Sequence, residues 1–323
     1  MNDEDFPLYR RFPGLTVIPR VQLCDLPSPV MQTCVEGADL WIKRDDLNAP
    51  VSAGNKARML EFLLASVRRG DTVLTIGGEG STHVLATAMH ARRLGARTIA
   101  LRWKHEMNET SLRTADLINE ECVIARVHRT TVGTIVRSYW ARAKQRMHYV
   151  PLGGSSPLGV LAQVNAGLEL AEQVRAGLLP RPERVVLPLG SGGTVAGIAL
   201  GFAIAGLETA VIGVQVTPAI IANRTRVRRL ISRTAHLIES TTGETIPRVR
   251  GHLLGVARNA YGGAYGRPVR AAIEASNRLE EATGIRLDYT YSAKAFAVAL
   301  GLAHSASGNT MFWNTFDSRL LTL

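Results

Sequence analysis

Short β-branched runs alternate with longer helical patterns along most of the chain. The compact apolar runs TVLTIG (72–77), RTIALRW (97–103) and RVVLPLG (184–190) have the length of buried strands. Between such runs the apolar residues recur with helical spacing, for example over 81–94 and 157–176. Because parallel strands need a crossover connection, usually a helix, this alternation predicts open, mostly parallel sheets covered by helices on both faces.

The remaining elements continue the same alternation. Further strands are predicted at 122–127, 148–152, 209–216 and 310–314. Further helices are predicted near 111–120, 132–147 and 268–283, and two more are predicted to end near residues 206 and 305. The arginine-rich segment 217–262 is predicted to be mostly helical. Two halves of similar βαβ composition predict an α/β fold with two doubly wound, three-layer domains and a cleft between them.

Size and charge bear on the number of domains and on whether the chain binds nucleic acid. The chain has 323 residues, 46% of them apolar, which is enough for two closely joined domains. A formal charge of +11 and a pI near 10.1 raise the question of nucleic-acid binding. However, basic runs such as RTRVRRLISR (224–233) are short, and the chain has neither zinc-finger spacing nor interleaved basic and aromatic residues. We therefore expect solvated helix faces and no nucleic-acid partner.

Cysteine usage and the N-terminal sequence bear on localisation. Three cysteines without a C-x-x-C pair indicate a reducing compartment. The opening MNDEDFPLYRRFPG lacks the basic-then-apolar order of a secretory signal. The apolar stretch 185–216 is interrupted by Pro188 and by the glycines at 190–193, so it does not have the pattern of a membrane span. The sequence predicts a cytoplasmic protein with no membrane partner.

A glycine loop, LGSGGTVAG, lies between a predicted strand and a predicted helix. Backbone amides and the helix dipole bind anions at such a position. Val195 breaks the G-x-G-x-x-G dinucleotide pattern that would begin at Gly190, and no GK[ST] of a Walker A loop follows. The loop therefore predicts a cup for a single phosphate, and a glycine-rich packing turn is the structural alternative.

A second loop of the same kind, GGEGSTH (77–83), also ends a strand and begins a helix. Ser81 or Thr82 could act simply as the helix N-cap. Because ligands of open α/β sheets bind at the carboxyl ends of strands, the two loops predict one site for a cofactor phosphate and one for a substrate carboxylate. His83 follows the second loop directly, where either contact with substrate or helix packing would explain it.

Lysine is rare in this chain, with five lysines among 38 basic residues. Lys56 follows Gly54 and Asn55 at the start of an amphipathic helix. Partial burial and the helix dipole lower the pKa of a lysine at such a position, which suits it to condense with an aldehyde such as that of pyridoxal phosphate (PLP). Lys43 in WIKRDD is a rival for this role, and an exposed first-turn lysine is the ordinary alternative.

Taken together, eight motifs resemble, in the same order, those of the PLP enzymes of the D-cysteine desulfhydrase and 1-aminocyclopropane-1-carboxylate deaminase family. They are KRDDL (43–47), GNKARMLEFLLA (54–65), GGEGSTH (77–83), GGSSPLG (153–159), GSGGTVAG (190–197), YGGAYGRP (261–268), LDYTYSAKA (287–295) and FWNT (312–315). The resemblance spans nearly the whole chain. It implies a tryptophan-synthase-β type fold, with a small domain (56–161) inserted in a larger one (1–55 and 162–323), PLP between them, and a homodimer.

The resemblance also implies roles for individual residues. Lys56 matches the Schiff-base lysine and is the first candidate for the catalytic base. Ser81 matches a serine near the substrate carboxylate that also serves as a candidate proton carrier, and Tyr265 and Tyr291 match two active-site tyrosines. The residues that match the phosphate loop are Gly190, Ser191, Gly192, Gly193 and Thr194. Thr82 takes the place of an asparagine that contacts the cofactor's ring oxygen.

Ser292 and Thr315 match the positions that separate the two activities of the family. The deaminases typically carry Glu and Leu there, whereas the desulfhydrases carry small hydroxyl residues at both. A neutral hydroxyl near the ring nitrogen leaves the cofactor a milder electron sink, which suffices for loss of sulfide from Cβ. The resemblance therefore implies a carbon–sulfur lyase that converts a small amino acid to pyruvate, ammonia and sulfide or another leaving group.

The chain departs from the family pattern close to the cofactor. Gly80 and Thr82 replace the Gln and Asn of a Q-S-N motif, and NTFD (314–317) replaces H-T-G-G. These departures favour a specialised biosynthetic role, with ring opening of the cyclopropane amino acid or β-replacement as alternative reactions. A catalytically silent ligand-binding module is the alternative of another class. The eight histidines lack metal-ligand spacing, so we expect no catalytic metal.

Overall fold

The computed structural model describes residues 5–144 and 147–321, in which ten strands form one sheet of six and one of four. The strands are β1 (Val30–Val35), β2 (Ala38–Arg44), β3 (Thr72–Gly78), β4 (Arg97–Trp103), β5 (Ile124–His128), β6 (His148–Val150), β7 (Arg184–Leu189), β8 (Ala210–Gln215), β9 (Leu254–Ala257) and β10 (Thr310–Asn314). The α-helices are α1 (Pro7–Arg11), α2 (Asn55–Leu63), α3 (Thr82–Arg93), α4 (Glu109–Glu121), α5 (Thr131–Lys144), α6 (Pro157–Arg175), α7 (Gly193–Ala205), α8 (Arg224–Thr242), α9 (Arg270–Thr283) and α10 (Ser292–Ser305).

Both sheets are open, and all but one of their strand pairs are parallel. The larger sheet has the order β1-β2-β10-β7-β8-β9, in which only β1 and β2 pair antiparallel. The smaller sheet has the order β5-β4-β3-β6. Its strands lie between β2 and β7 in the chain, so the smaller unit is an insertion in the larger one. The predicted α/β fold class is confirmed, while the boundaries set at 55/56 and 161/162 stay a prediction.

Most predicted elements match the structure to within a few residues. The predicted mostly helical segment 217–262 is wrong, because only α8 is α-helical there and strand β9 follows it. β1, β2 and β9 have no counterpart among the predicted strands. The predicted helix over 132–147 corresponds to α5, and residues 145–146 at its end lie outside the described residues, as do residues 1–4 and 322–323 of the predicted large domain.

Side chains that alternate along the strands of the larger sheet pack into two separate hydrophobic cores, one on each face of the sheet. Val185 and Leu187 of β7 pack with α6, α7 and α8, whereas Val186 packs with α9 and α10 on the other face. The smaller sheet is covered in the same way, by α3 and α4 on one face and by α5 on the other. Each unit is therefore a three-layer αβα sandwich, and only the ends of the strands are left to form a site.

Helices α6 and α7 approach each other unusually closely. A Cβ atom at Gly201 would lie 2.5 Å from the carbonyl oxygen of Val164, and one at Gly167 would lie 2.8 Å from that of Ile198. Because only glycine lets two backbones meet at this distance, α7 is held tightly in the core. Its N-terminus, which follows the predicted phosphate loop, is fixed as a consequence.

Candidate active site

A cleft lies at the carboxyl ends of the strands of both sheets. It contains twelve of the thirteen residues that the sequence singles out: Lys56, Ser81, Thr82, His83, Gly190, Ser191, Gly192, Gly193, Thr194, Tyr265, Tyr291 and Thr315. Ser292 is the exception, since it is fully buried next to Tyr291 and does not line the cleft. Residues that are more than 250 positions apart in the chain therefore meet in one place.

The position of Lys56 depends on the glycine two residues before it. Gly54 has a φ of +115°, a conformation that L side chains rarely adopt, and a Cβ there would lie 2.2 Å from the carbonyl oxygen of Thr315. Gly54 pairs with Phe316 in an isolated β-bridge, and the amide of Asn55 donates to the same Thr315 oxygen over 3.3 Å. The Gly-Asn-Lys sequence thus sets the start of α2 against the chain that leaves β10.

The amine of Lys56 is poorly solvated. Its Nζ donates one hydrogen bond, of 3.3 Å, to the carbonyl oxygen of Gly153. Burial lowers its pKa from 10.5 to about 8. Because the neutral amine is the nucleophile toward an aldehyde, this environment makes Lys56 reactive near physiological pH.

Lys43, the rival lysine, is excluded by its surroundings. Its Nζ is fully buried and donates to Glu169 Oε1 (2.6 Å), Gln173 Oε1 (2.7 Å) and the Ser28 carbonyl oxygen (2.7 Å). Arg58 binds the same Glu169 and also Asp45, so the four charged groups form one buried network. Lys43 does not line the cleft and serves as a structural cation.

The glycine loop joins β7 to α7 and provides the features of an anion site. Gly192 has a φ of +95°, which turns the chain into the helix, and the first residues of α7, Gly193 and Thr194, line the cleft. Ser155 Oγ lies 2.7 Å from Ser191 Oγ and accepts a 3.1 Å hydrogen bond from the amide of Gly193. Ser155 was not among the predicted binding residues, although its motif GGSSPLG was identified in the sequence.

The second loop joins β3 to α3. Ser81 is in the N-cap position, but its side chain makes no capping hydrogen bond, so the purely structural alternative does not account for it. Gly80 has a φ of +73°, and a Cβ there would lie 2.2 Å from the carbonyl oxygen of Ser111. Glycine at this position, where the family has Gln, therefore allows the close contact between the loop and α4.

His83 is buried behind this loop. Its Nε2 lies 3.3 Å from Thr75 Oγ1, and its Nδ1 has no hydrogen-bond partner among the described residues. Burial, together with the charge of Lys56, lowers the pKa of His83 to about 3. His83 is therefore a neutral imidazole, with one ring nitrogen available to a ligand.

Tyr265 and Tyr291 form a hydrogen-bonded pair on the wall of the large domain. The Tyr265 ring also packs on His105, with 4.4 Å between ring centroids. Burial raises the pKa of Tyr265 to about 12, and burial together with Tyr265 raises that of Tyr291 well above its usual value. Both hydroxyls stay protonated at neutral pH, so they are proton donors toward a ligand in the cleft.

Ser292 begins α10 directly after Tyr291. Asp288 holds this turn, because its carboxylate accepts hydrogen bonds from the amides of Tyr291 (2.6 Å) and Ser292 (3.0 Å). Ser292 Oγ is buried without a hydrogen-bond partner among the described residues. Because Ser292 lies below the cleft surface beside Asp288, its predicted contact with the cofactor ring stays a prediction.

The cleft also contains residues that the motifs did not single out. Asn55 Nδ2 donates to Thr194 Oγ1 over 2.7 Å, which joins the helix of Lys56 to the phosphate loop. Trp103 is the last residue of β4, Lys104 and His105 follow it, and Thr131 begins α5. The one signal available for these four residues was their place at the carboxyl ends of predicted parallel strands.

These residues fit PLP. The loop at 190–194 would hold its phosphate and Lys56 its aldehyde carbon. The described residues contain no cluster of His, Cys, Asp and Glu able to hold a metal ion. In the same part of the chain, no helix is both long enough and apolar enough to cross a membrane.

Similarity to proteins of known sequence and structure agrees with this fit. The chain is 37% identical to the nocardicin C-9′ epimerase of Nocardia uniformis over 94% of both chains. It is 32% identical to a D-cysteine desulfhydrase of Salmonella schwarzengrund over 88% of both chains. The crystal structure of a homologue of ACC deaminase (1-aminocyclopropane-1-carboxylate deaminase) matches with a TM-score of 0.79 at 25% identity, covering 100% of this chain and 99% of the homologue.

A threonine deaminase of Solanum lycopersicum shares the fold, with a TM-score of 0.64 at 16% identity, over 100% of this chain and 92% of its own. The sequence pattern of the family described as pyridoxal-phosphate dependent enzymes matches residues 22–314. This match covers most of the chain and includes every residue assigned above except Thr315. The chain therefore belongs to the family of pyridoxal-phosphate dependent enzymes.

Proposed function

We propose that this protein is a PLP-dependent lyase that eliminates the β-substituent of a small amino acid, as a D-cysteine desulfhydrase does. The observation that carries the proposal is the position of the Lys56 amine, with its lowered pKa, in one cleft with two anion-binding loops. Bound PLP supplies an aldehyde for amines and an electron sink that acidifies the Cα proton of the substrate.

Different residues of the cleft bind the substrate and transfer protons. The loop of Ser81 and Thr82 binds the α-carboxylate, and His83, which also lines the cleft, follows this loop directly. Lys56, as a free amine, takes the Cα proton. Tyr265 or Tyr291 donates a proton to the leaving group, since both hydroxyls are protonated below about pH 10. Water then converts the product to pyruvate and ammonia.

Ser292 and Thr315 favour elimination over ring opening. Neither position carries a carboxylate: Thr315 lines the cleft, and Ser292 lies buried directly after the cleft residue Tyr291. A neutral donor gives a weaker electron sink than a carboxylate, which matches loss of a good leaving group. Ring opening of the cyclopropane amino acid, as in ACC deaminases, is therefore the less favoured reaction of the same site.

Epimerisation at Cα is a second candidate. It begins with the same proton removal by Lys56, and a protonated tyrosine then returns a proton to the other face. The 37% identity to an epimerase, against 32% to the desulfhydrase, supports this candidate. The two reactions differ in whether the β-substituent leaves.

Three measurements test these proposals. We expect the purified protein to show the visible absorbance of lysine-bound PLP, and Lys56→Ala to abolish it; a colourless protein that takes up no PLP would indicate a ligand-binding module. Pyruvate release from D- and L-cysteine, β-chloroalanine or D-serine supports the lyase, and 2-oxobutyrate from the cyclopropane amino acid supports the deaminase. Exchange of the Cα proton with solvent deuterium and inversion, without pyruvate, supports the epimerase.

We also infer a cytoplasmic homodimer. All three cysteines are unpaired, which suits a reducing compartment. Exposed apolar side chains on the small unit, among them Val132 (72%) and Trp140 (66%), offer surface for a second copy. Light scattering coupled to size-exclusion chromatography measures the mass, and a single-chain mass at micromolar concentration would exclude the dimer.

A further inference from the structure

The cleft is positively charged on its small-domain wall. Its described lining holds two lysines, Lys56 and Lys104, and no aspartate or glutamate. Lys104 follows β4, where its amide donates to the carbonyl oxygen of His128. The side chain is exposed and forms no ion pair within residues 5–144 and 147–321. Lys104 is thus a cation in a ligand site with no counter-ion from the protein.

The two other lysines with described side chains have protein partners. Lys43 is bound within the buried network with Glu169, and Lys294 Nζ donates to the carbonyl oxygen of Tyr261 over 2.9 Å. Lys56 is assigned to the cofactor. In a chain that uses arginine for most of its positive charge, Lys104 is the lysine whose charge is left for a ligand.

The surroundings of Lys104 reinforce its charge. No acidic residue occurs between Glu121 and Glu169 in the sequence, whereas six arginines and lysines do. This segment includes β5, which pairs with β4, and α5, whose first residue Thr131 lines the cleft. Glu106, the acidic residue nearest to Lys104 in the sequence, pairs with Arg267, so the excess of positive charge on this segment attracts an anion toward the cleft.

The two anions already assigned do not need Lys104. The phosphate of PLP belongs to the loop at 190–194 on the large domain, and the α-carboxylate belongs to the Ser81 loop at the start of α3. The cleft encloses about 240 Å³ and opens to solvent, so a substrate side chain longer than that of cysteine is not confined to the enclosed part. Trp103, Pro218 and Ile221 add apolar surface to this space.

We propose that the substrate is an amino acid with a side chain longer than that of cysteine, ending in a carboxylate that Lys104 binds. The proposal rests on the proposed function and names the substrate class of the same site. In the lyase reaction the Cβ–S bond of S-carboxymethylcysteine breaks as Cα loses its proton. The thiol takes up a proton, and water completes the conversion of the remainder to pyruvate and ammonia.

Two isosteric ligands isolate the distal charge, namely S-carboxymethylcysteine and its uncharged amide, S-carbamoylmethylcysteine. Their α-methyl forms lack the Cα proton, so calorimetry on the PLP-loaded enzyme measures binding without turnover, for the D and L series alike. We expect the wild type to bind the carboxylate about tenfold more tightly than the amide. Lys104→Ala should remove this preference and Lys104→Arg should retain most of it. Arg233→Ala, which removes an exposed charge on α8, should leave it unchanged.

Each other result has a defined meaning. If Lys104→Ala weakens both ligands equally, Lys104 binds the α-carboxylate or the phosphate and the proposal is wrong. Equal binding of acid and amide by the wild type, or binding of neither, also overturns it. A preference that depends on Lys104, without pyruvate or thiol release from S-carboxymethylcysteine itself, supports the carboxylate site and contradicts the lyase function alone.

Discussion

Asn55 and Thr194 connect the two halves of the candidate active site through a single hydrogen bond. The side-chain amide of Asn55 donates to Thr194 Oγ1 over 2.7 Å, and Gln163 Nε2 in turn donates to the carbonyl oxygen of Asn55 over 2.8 Å. The helix that carries Lys56 is thereby aligned with the helix that carries the phosphate loop. An aldehyde and a phosphate on one cofactor require this alignment.

Asn55→Ala is expected to weaken PLP binding about fivefold, the effect of one net hydrogen bond of about 1 kcal/mol. Equilibrium dialysis of the apoprotein with PLP measures the change. Thr194→Val removes the acceptor, and the double variant should cost less than the two single changes added together. Additive effects would show that Asn55 and Thr194 act independently.

Lys56 should make the stability of the apoprotein depend on pH. Its pKa is about 8 in the folded protein against 10.5 ordinarily, so between these values the unfolded chain binds more protons. The free energy of unfolding therefore rises from pH 8 toward 10.5 by about 2 kcal/mol relative to Lys56→Met, which cannot titrate. Urea unfolding of both proteins from pH 7 to 9.5 tests the slope, and parallel curves would contradict the lowered pKa.

Gly80 and Gly177 form a matched pair, since both have a φ of +73°. A Cβ at Gly80 would lie 2.2 Å from the carbonyl oxygen of Ser111, whereas one at Gly177 meets nothing within 4 Å. Gly177→Ala is expected to cost about 1 kcal/mol of strain, and Gly80→Ala at least about 1 kcal/mol more. Urea unfolding measures both, and an equal cost would show that the loop relaxes freely away from α4.

Glu169 neutralises the buried Lys43 and Arg58, and their charges lower its pKa to about 2 against the pull of burial. Glu169→Gln should destabilise the protein by about 3 kcal/mol or more, because it leaves the buried Lys43 ammonium without a carboxylate partner while Arg58 keeps Asp45. This contribution is complete above pH 4.5 and is lost as the pH falls toward 2, so the gap between variant and wild type should narrow over that range.

The control for Glu169→Gln is Glu172→Gln, because Glu172 lies on the same helix, α6. This control breaks an exposed ion pair between Glu172 and Arg10 of α1. Exposed pairs contribute at most about 1 kcal/mol, so this variant should remain close to wild type in stability. Urea midpoints from pH 3 to 7 give both comparisons. A small effect of Glu169→Gln would indicate that the network reorganises around the amide.

The sequence predicts the buried parallel strands well because their signal is local. The predicted boundaries of β4 and β10 coincide with those observed, since both are continuous apolar runs buried on two faces. β1 and β9 were not predicted, because an edge strand carries polar residues such as Gln32 or is only four residues long. The mostly helical segment predicted over 217–262 holds only one α-helix, α8, because the loops and strand β9 after it follow from packing on β8.

The site residues were predictable where glycine, lysine and hydroxyl residues form motifs. Lys104 lies in no motif, and the contact of Asn55 with Thr194 depends on which loop lies opposite it. The burial of Ser292 below the cleft surface likewise depends on the turn that Asp288 holds. Such relationships are set by the packing of segments far apart in the chain.

Strand β10 has a consequence for biosynthesis. It lies between β2 and β7 at the centre of the larger sheet, although it is the last strand to leave the ribosome. The chain that leaves it contacts Gly54, next to Lys56. A nascent polypeptide shorter than about 315 residues therefore lacks the segment that positions the reactive Lys56 amine. Cofactor capture must therefore await synthesis of β10 and of the residues directly after it.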